Sequence, residues 1–260
     1  MASGRVAVGS ELVEQVVALA RTRSEGERAE TIGQFLRQYY RRVPHEDLSG
    51  RSVEDLYFSA LGMLNYLSQR EGGADKLRVY HPDLDADGWS SSHTVIDVIS
   101  DDRPFLVDSL SAELSRQEIP VHLVVHPICH TTRDADGALS GLYARGKAPD
   151  GALTEAVIRI EIARRGDSNG AEALAASLQK VLTEVRDTVD DWQTMLTTLH
   201  ESINELESKA PPPRTELDET LAFLRWLGDD NFTFLGYGRY DLTRGKQGGR
   251  LRAVADSALG

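Results

Sequence analysis

A seven-residue repeat of apolar side chains constrains this chain more than any other feature of its sequence. Two interleaved series share that spacing: Leu178, Val185, Trp192, Leu199 and Leu206, and then Leu182, Val189, Leu196 and Ile203. On an α-helix such a repeat forms one continuous apolar stripe. The spacing predicts a helix over residues 171–208, roughly 55 Å long. Because a single small domain does not need so long a helix, the stripe must pack on another element.

Two partners are available for this stripe: a second subunit, or the N-terminal helices of the same chain. A coiled coil between subunits usually carries paired opposite charges at the positions that flank its apolar seam. The flanking residues here, such as Thr188, Gln193 and His200, do not supply them. We therefore favour packing against the N-terminal helices, with the subunit contact as the alternative.

The charge of the chain disfavours nucleic acid as a partner. Its 260 residues include 41 acidic and 29 basic side chains, a formal net charge of −12, whereas affinity for a phosphate backbone depends on clustered Lys and Arg. No apolar run reaches the roughly 20 residues that cross a bilayer, and the N-terminus lacks the pattern of a signal peptide. The single cysteine, Cys129, excludes an internal disulfide. These features predict a cytoplasmic protein without a membrane partner.

The first part of the chain has the pattern of a small helical unit. Apolar residues recur every three or four positions between residues 10 and 71, and Gly72 and Gly73 follow the last of these segments. Ser52 is suited to cap that segment. We assign residues 1–75 to an N-terminal helical unit.

Residues 76–210 have the pattern of a second, mixed domain. The predicted order of elements is strand 93–100, helix 103–117, strand 119–130, strand 155–163 and helix 171–208, followed beyond residue 210 by a late strand 231–241. This βαββαβ order is that of the ferredoxin-like fold. The expected fold class is therefore α+β, with an extended second helix. Residues 211–260 add a helix and the late strand, and we expect them to lead to a further domain.

Recognisable catalytic motifs are missing from the sequence. It contains no GxGxxG, GxxxxGK[ST], HExxH or GxSxG pattern. His122, His126 and His130 share one face of a predicted strand, but neighbours four residues apart on a strand lie about 13 Å apart, too far to bind one metal ion. We therefore predict no catalytic, cofactor-binding or metal-binding residue. The less favoured alternative is a self-contained enzyme, and its candidate residues are Asp97, Asp108, His122 and His126.

The junction between strand 93–100 and helix 103–117 is the best candidate for a binding site. A strand that feeds a helix N-terminus presents unpaired N–H groups, which suit a carboxylate or another anion. Arg103 adds a positive charge beside them. The alternative is an ordinary helix start that Asp101 or Asp102 caps, without a ligand.

Three stretches of the sequence are long and unusual in composition. They are KLRVYHP (76–82), DDRPFLVDSLSAELSRQEIPVHLVVHPI (101–128) and FLRWLGDDNFTFLGYGRYDL (223–242). Together they resemble the N-terminal region of the large bacterial NAD-dependent glutamate dehydrogenases. The resemblance covers nearly the whole chain and is looser over residues 10–71.

The resemblance implies an ACT-like domain in this region. It also implies that the full protein oxidatively deaminates L-glutamate to 2-oxoglutarate and ammonia, and that NAD binds in a C-terminal catalytic domain outside this chain. Residues 1–260 would then be a non-catalytic regulatory or assembly segment. The implied partners are an amino-acid effector, the C-terminal domains of the same protein and other subunits of a homo-oligomer.

The resemblance also implies a location for the effector. ACT domains bind amino acids at the turn after the first strand and at a domain interface. In this sequence the corresponding residues are Asp101, Asp102, Arg103, Pro104, Phe105, Ile119 and His122. Ligand-binding ACT domains usually carry Gly after the Pro of this turn, where the ring of Phe105 would instead narrow access to the backbone. Amino-acid binding and a purely structural role in subunit contacts therefore both stay open.

Overall fold

The structure divides into two compact units, Met1–Leu182 and Thr183–Gly260. This computed structural model describes residues 2–165, 168–209, 215–245 and 248–260. Its helices are α1 (Ala2–Arg23), α2 (Gly26–Tyr39), α3 (His45–Leu48), α4 (Val53–Leu67), α5 (Leu84–Asp87), α6 (Leu106–Arg116), α7 (Ser168–Lys209) and α8 (Thr215–Trp226). Its strands are β1 (Lys76–Tyr80), β2 (Thr94–Asp101), β3 (Val121–Val125), β4 (Ile128–Arg133), β5 (Leu139–Tyr143), β6 (Leu153–Ile162), β7 (Tyr240–Gly245) and β8 (Gly248–Ala253).

The N-terminal helices form one layer of the first unit. The helical period of α4 places Leu56, Met63 and Leu67 on one buried face. Ser52 caps this helix, because its Oγ accepts a hydrogen bond from the backbone N–H of Asp55 at 3.0 Å. The predicted helical segment thus forms, although the division of the chain into residues 1–75, 76–210 and 211–260 stays a prediction.

An antiparallel sheet with β6 at its centre forms the second layer. Strand β2 pairs with one side of β6, and β3 and β4 pair in succession with the other side. Strands β1 and β5 extend the sheet beyond β2 and β4. The predicted strand 119–130 is split into β3 and β4 around His126 and Pro127, because proline has no N–H to donate to a strand ladder.

Strand β6 is buried on both faces of the sheet. Val157, on one face, belongs to the apolar cluster that α1–α4 form. Ile158, Ile160 and Ile162 alternate with it and are fully buried on the opposite face. That face is covered by α6 and the first turns of α7, whose leucines are buried: Leu106, Leu110, Leu114, Leu174 and Leu178. The first unit therefore has two apolar layers, one on each side of the sheet.

The long helix is confirmed, but its favoured partner is wrong. Helix α7 extends from Ser168 to Lys209. Among the described residues, the buried cluster of α1–α4 includes none from α7. The first part of α7 lies beside α6 instead, where Ser177 donates a hydrogen bond to Glu113. The N-terminal helices already occupy one face of the sheet, so α7 packs on the other. A subunit contact through its second part stays a prediction.

The expected α+β class is confirmed, but one strand of the predicted order is wrong. Residues 231–241 do not join the main sheet; instead Tyr240–Gly245 pairs with Gly248–Ala253 in the second unit. The edge position beside the first strand of the βαββαβ order is taken by Lys76–Tyr80, which pairs with β2. An apolar pattern shows that a segment can be a strand, but it does not identify the strand with which that segment pairs.

A buried ion pair holds α4 against the sheet. Nε of Arg159, in β6, donates to Asp97 in β2 at 2.6 Å, and both side chains are at most 1% exposed. Nη1 of Arg159 also donates to the carbonyl oxygen of Ser59 at 2.6 Å, and Arg78 donates to Asp97 at 2.7 Å. Burial acts to raise the pKa of Asp97, but the two arginines outweigh burial and lower that pKa. The pair is therefore charged in the interior.

The second unit contains the second part of α7, α8 and the β7–β8 hairpin. Thr188 donates to the carbonyl oxygen of Leu235 at 3.3 Å, and the N–H of Gly260 donates to Asp191 at 2.9 Å. Several large apolar side chains of this unit are exposed: Phe223, Trp226, Phe232, Leu235, Leu242 and Leu251. Much of its apolar surface is thus uncovered.

The substitution Arg159→Met tests the role of the buried pair. It leaves the carboxylate of Asp97 buried beside a single arginine, so we expect the free energy of unfolding to fall by about 3–5 kcal/mol. Urea unfolding measures this loss. The control is Arg116→Met, which removes an exposed pair with Glu113 one helical turn away and should change stability little. Equal losses in the two variants would contradict a special role for the buried pair.

Candidate functional site

The predicted binding junction is a tight turn between β2 and α6. Asp101 ends β2 opposite Glu155, and the N–H of Asp102 donates to the carbonyl oxygen of Thr154 at 2.9 Å. Phe105 lies immediately before α6 in the left-handed backbone region, at a φ of 69°. This region disfavours side chains with a Cβ, and the ring is 45% exposed. The turn therefore holds an exposed aromatic ring in an unfavourable backbone conformation.

Part of this turn belongs to a structural network of ion pairs. The fully buried Glu155 accepts a hydrogen bond from Arg70 at 2.6 Å and one from Arg133 at 2.9 Å. Arg70 also forms an ion pair with Asp101, with 2.8 Å between Nη2 and the carboxylate oxygen, and Arg103 lies 3.4 Å from the same carboxylate. Burial acts to lower the pKa of Arg70, but Glu155 and Asp101 outweigh burial and raise it. Asp101 and Arg103 are thus already engaged with protein charges.

An open cleft of about 560 Å³ lies beside the turn, within the first unit. One wall is the end of α2 and the residues after it, including Arg41 and Arg42. The lining also includes Asp102, the break between β3 and β4 at His126, and Arg145 from the segment after β5. Of the seven predicted site residues, this cleft includes Asp102. Charged side chains from different elements of the first unit thus converge in this cleft.

His126 provides the cleft with a buried nitrogen. Its Nε2 atom is shielded from solvent and has no hydrogen-bond partner among the described groups. Burial lowers the pKa of His126; the carboxylate of Asp102 opposes this shift, and the guanidinium of Arg42 adds to it. The imidazole is therefore neutral at pH 7, and its Nε2 is buried without a partner among the described groups. On the same wall, His130 lies 3.4 Å from the Thr154 hydroxyl.

The structure does not bring the seven predicted residues together. Strands β2 and β3 lie on opposite sides of β6, and Asp101 is opposite Glu155 whereas Val121 is opposite Ile162. Seven residues along β6 separate these positions by roughly 23 Å. The predicted set therefore divides into a group at the turn, Asp101, Asp102, Arg103, Pro104 and Phe105, and a group at the far end of the sheet, Ile119 and His122.

The far group has its own neighbours. Ile119 is buried, and its N–H donates to the carbonyl oxygen of Leu114 at 2.9 Å. The ring of His122 lies 4.5 Å from that of His93, and His93 is 3.4 Å from Glu161. Within one copy of this chain, these residues cannot share a small ligand with Asp102.

The residues of the alternative enzyme are not assembled either. Asp97 is buried between Arg159 and Arg78, and His122 and His126 lie toward opposite ends of β3. Among the residues that the structure describes, no group of three His, Cys, Asp or Glu side chains is arranged to hold a metal ion. We assign no catalytic step to these side chains.

The residues that the sequence did not indicate are the arginines of the cleft. Arg41 and Arg42 follow a predicted helix and precede a proline, a pattern typical of any helix end. Arg145 lies in a stretch rich in Gly and Pro that predicts only a turn. Arg145 is about a hundred positions from Arg41 and Arg42 in the sequence. No local sequence pattern relates residues so far apart, so only the fold shows that they line one cleft.

Comparisons with known proteins agree with this architecture. The family model described as "Glutamate dehydrogenase, ACT1 domain" matches residues 35–178. This range includes the last turn of α2, all of α3, α4 and α5, the main sheet, α6 and the first turns of α7. The match supports the ACT-like α+β fold that the sequence predicts.

Curated relatives point to the same family. An NAD-specific glutamate dehydrogenase of Halomonas elongata is 35% identical over 96% of this chain, and one of Pseudomonas aeruginosa is 32% identical over 87%. A third, from Mycobacterium tuberculosis, is 28% identical over 73%. The matched regions span only 16%, 14% and 12% of those three proteins. Within the described part of the chain, no helix is long and apolar enough to cross a membrane.

Substitutions at Phe105 test the strained turn. Phe105→Gly should leave the free energy of unfolding unchanged or raise it by up to about 1 kcal/mol, because glycine adopts a positive φ without steric cost. The matched control, Phe105→Val, should lower it by about 1 kcal/mol or more, since a β-branched side chain fits this backbone poorly. Urea unfolding of both variants measures these free energies. A higher free energy of unfolding for Phe105→Val than for the wild type would contradict the assigned backbone conformation.

The buried state of His126 predicts a pH effect on stability. Since its pKa is lowered in the folded chain, the unfolded chain binds the proton more readily once the pH falls below about 6.5. The wild type should therefore lose more stability than His126→Gln between about pH 7.5 and pH 5. Unfolding midpoints at several pH values measure the difference. Parallel curves for the two proteins would show that His126 is not buried in its neutral form.

Proposed function

This chain belongs to the glutamate dehydrogenase ACT1 domain family, and on that premise we propose that it is a regulatory and assembly segment of a longer NAD-dependent glutamate dehydrogenase. The longer protein would oxidatively deaminate L-glutamate to 2-oxoglutarate and ammonia, with NAD as the electron acceptor. One observation carries the proposal. Nearly the whole of this chain matches each of two curated relatives, but the match spans one sixth or less of each relative's own length. A segment of that kind is one part of a larger polypeptide.

The arrangement of charges supports a role without chemistry of its own. The charged side chains of β6 that face the helices are each paired with an arginine or an aspartate: Glu155 with Arg70, Arg159 with Asp97, and Glu161 with Arg51. Side chains that are fixed in buried ion pairs hold layers together and do not exchange protons with a substrate. All the strand pairings of the described main sheet are antiparallel, whereas a dinucleotide fold needs a parallel βαβ unit with a glycine-rich turn.

The site of NAD therefore lies outside this segment in our proposal. The described strand-to-helix turn, Asp102–Phe105, has no glycine and does not fit a pyrophosphate. We derive no step through the cofactor here. A cytoplasmic location belongs to the same proposal, because the reaction uses NAD, and the thiol of Cys129 is free and buried.

A regulatory role needs a ligand site, and we place it at the cleft beside Asp102. The resemblance implies an amino acid as effector and the residues 101–105, 119 and 122 as its site. The geometry favours the turn group over the full set, because only Asp102 of those residues lines the cleft. Any regulation also requires two states of the protein between which the ligand discriminates.

Assembly is the second role that an observation favours. The second unit exposes several large apolar side chains, among them Phe223, Trp226 and Leu251, at 50% or more of their surface. Exposed apolar surface of this kind is typical of a protein contact. We propose that this unit contacts the remainder of the longer protein or another subunit.

Activity measurements test the main proposal. We expect no NADH formation from L-glutamate and NAD by the 260-residue chain, and clear formation by the longer natural protein that contains it. The absorbance of NADH, followed directly without a coupling enzyme, measures the activity of both proteins. The control is the same longer protein assayed without glutamate. Turnover by the isolated chain, or none by the longer protein, would overturn the proposal.

A further inference from the structure

The cleft beside Asp102 carries more positive charge than its surroundings. Arg41, Arg42 and Arg145 line it, and Asp102 is the one carboxylate among its lining residues. The chain as a whole has a net charge of −12. A local excess of two positive charges in an acidic protein is a distinct electrostatic feature, and clefts concentrate such a field.

These three arginines differ from those of the interior. Arg70, Arg133 and Arg159 are buried, and each is bonded to a carboxylate. Arg41, Arg42 and Arg145 are exposed, and none forms an ion pair within the described parts of the chain. Their guanidinium groups bring like charges to one cleft, and an anion bound there would offset these charges.

Two hydrogen bonds from α2 bring the arginines together. Gln34 and Gln38 donate to the carbonyl oxygens of Leu142 and Tyr143 at 2.9 and 3.1 Å. These bonds dock α2 along the edge strand β5, so the end of the helix lies beside the segment that follows the strand. The negative end of the α2 dipole is sufficient reason for cations at Arg41 and Arg42. The helix dipole does not explain the third arginine, Arg145, which lies in the segment after β5.

We propose that this cleft binds a small oxyanion with two negative charges, either a phosphate group or a dicarboxylate. Arg42 and Arg145, which line the cleft from different elements, would hold it, since guanidinium groups bind both kinds of oxyanion through paired N–H donors. The inference rests on the proposed regulatory function for its biological purpose, but the binding itself is a property of this chain alone.

Asp102 distinguishes this ligand from a zwitterionic amino acid. A dianion is repelled by the Asp102 carboxylate, whereas the ammonium group of an amino acid would bind it. The substitution Asp102→Asn removes the charge and keeps the shape. It should therefore strengthen binding of a dianion and weaken binding of an amino acid, so the two ligand classes predict opposite signs.

Calorimetric titration of the 260-residue chain tests the proposal. The probes are inorganic phosphate, succinate and L-glutamate, each in buffer of low ionic strength. We expect saturable binding of phosphate or succinate, about tenfold weaker in Arg42→Gln and in Arg145→Gln, and about threefold tighter in Asp102→Asn. The comparison of phosphate with succinate identifies which oxyanion the cleft takes. Added salt should weaken the binding.

A charge-matched control separates the cleft from general attraction. Arg21 is exposed in α1 and does not line the cleft, so Arg21→Gln should leave the affinity unchanged. Equal weakening by Arg21→Gln would show non-specific attraction and overturn the proposal. Thermal unfolding of each variant without ligand checks that the fold is intact.

Two further outcomes would also overturn the inference. One is the absence of saturable binding of both phosphate and succinate to the wild type. The other is binding of L-glutamate alone, weakened by Asp102→Asn, which would assign an amino-acid site instead. Neither outcome affects the NADH assay of the longer protein, so failure of this inference and failure of the proposed function are distinguishable.

Discussion

The burial of β6 on both faces is the constraint on which the first unit depends. Because both faces of this central strand are covered, its charged side chains have no contact with solvent. Glu155, Arg159 and Glu161 therefore each need a partner of opposite charge. The partners of the two glutamates, Arg70 and Arg51, come from segments at the two ends of α4, and Arg159 also bonds to α4 itself. The ion pairs therefore fix both the presence and the position of the helical layer. Apolar burial alone would allow those helices to slide along the sheet.

This docking also creates the cleft. With α2 held against β5 by Gln34 and Gln38, the residues that follow the helix lie opposite the break between β3 and β4. The break itself results from Pro127, which cannot donate to the ladder, and it places His126 at the wall of the cleft. A ligand there would contact the helical layer and the sheet at once. Its binding energy would add to the interface that the buried ion pairs already hold.

The second unit has the opposite character. Among the described residues, the two strands of its hairpin pair with each other, and several of its large apolar side chains are exposed. The first unit has a charged cleft, and α7 connects it to a unit rich in exposed apolar surface. These features are consistent with a segment that binds a ligand at one place and a protein at another. The ACT1 family match, residues 35–178, lies within the first of these two units; it covers the main sheet but begins near the end of α2, and it stops before Leu182.

The sequence by itself determined the elements that depend on local periodicity. The helix over 171–208, the strands at 93–100 and 155–163, the helix before Gln117 and the α+β class follow from side chains that alternate every two or every 3.6 residues. Only the tertiary structure decided which strands pair and which site residues meet. Lys76–Tyr80 replaced residues 231–241 at the sheet edge, and the antiparallel register of β6 separated Asp102 from His122 while it left Asp102 beside Arg42. Pairing and convergence arise from contacts between distant segments, and a local pattern carries no information about them.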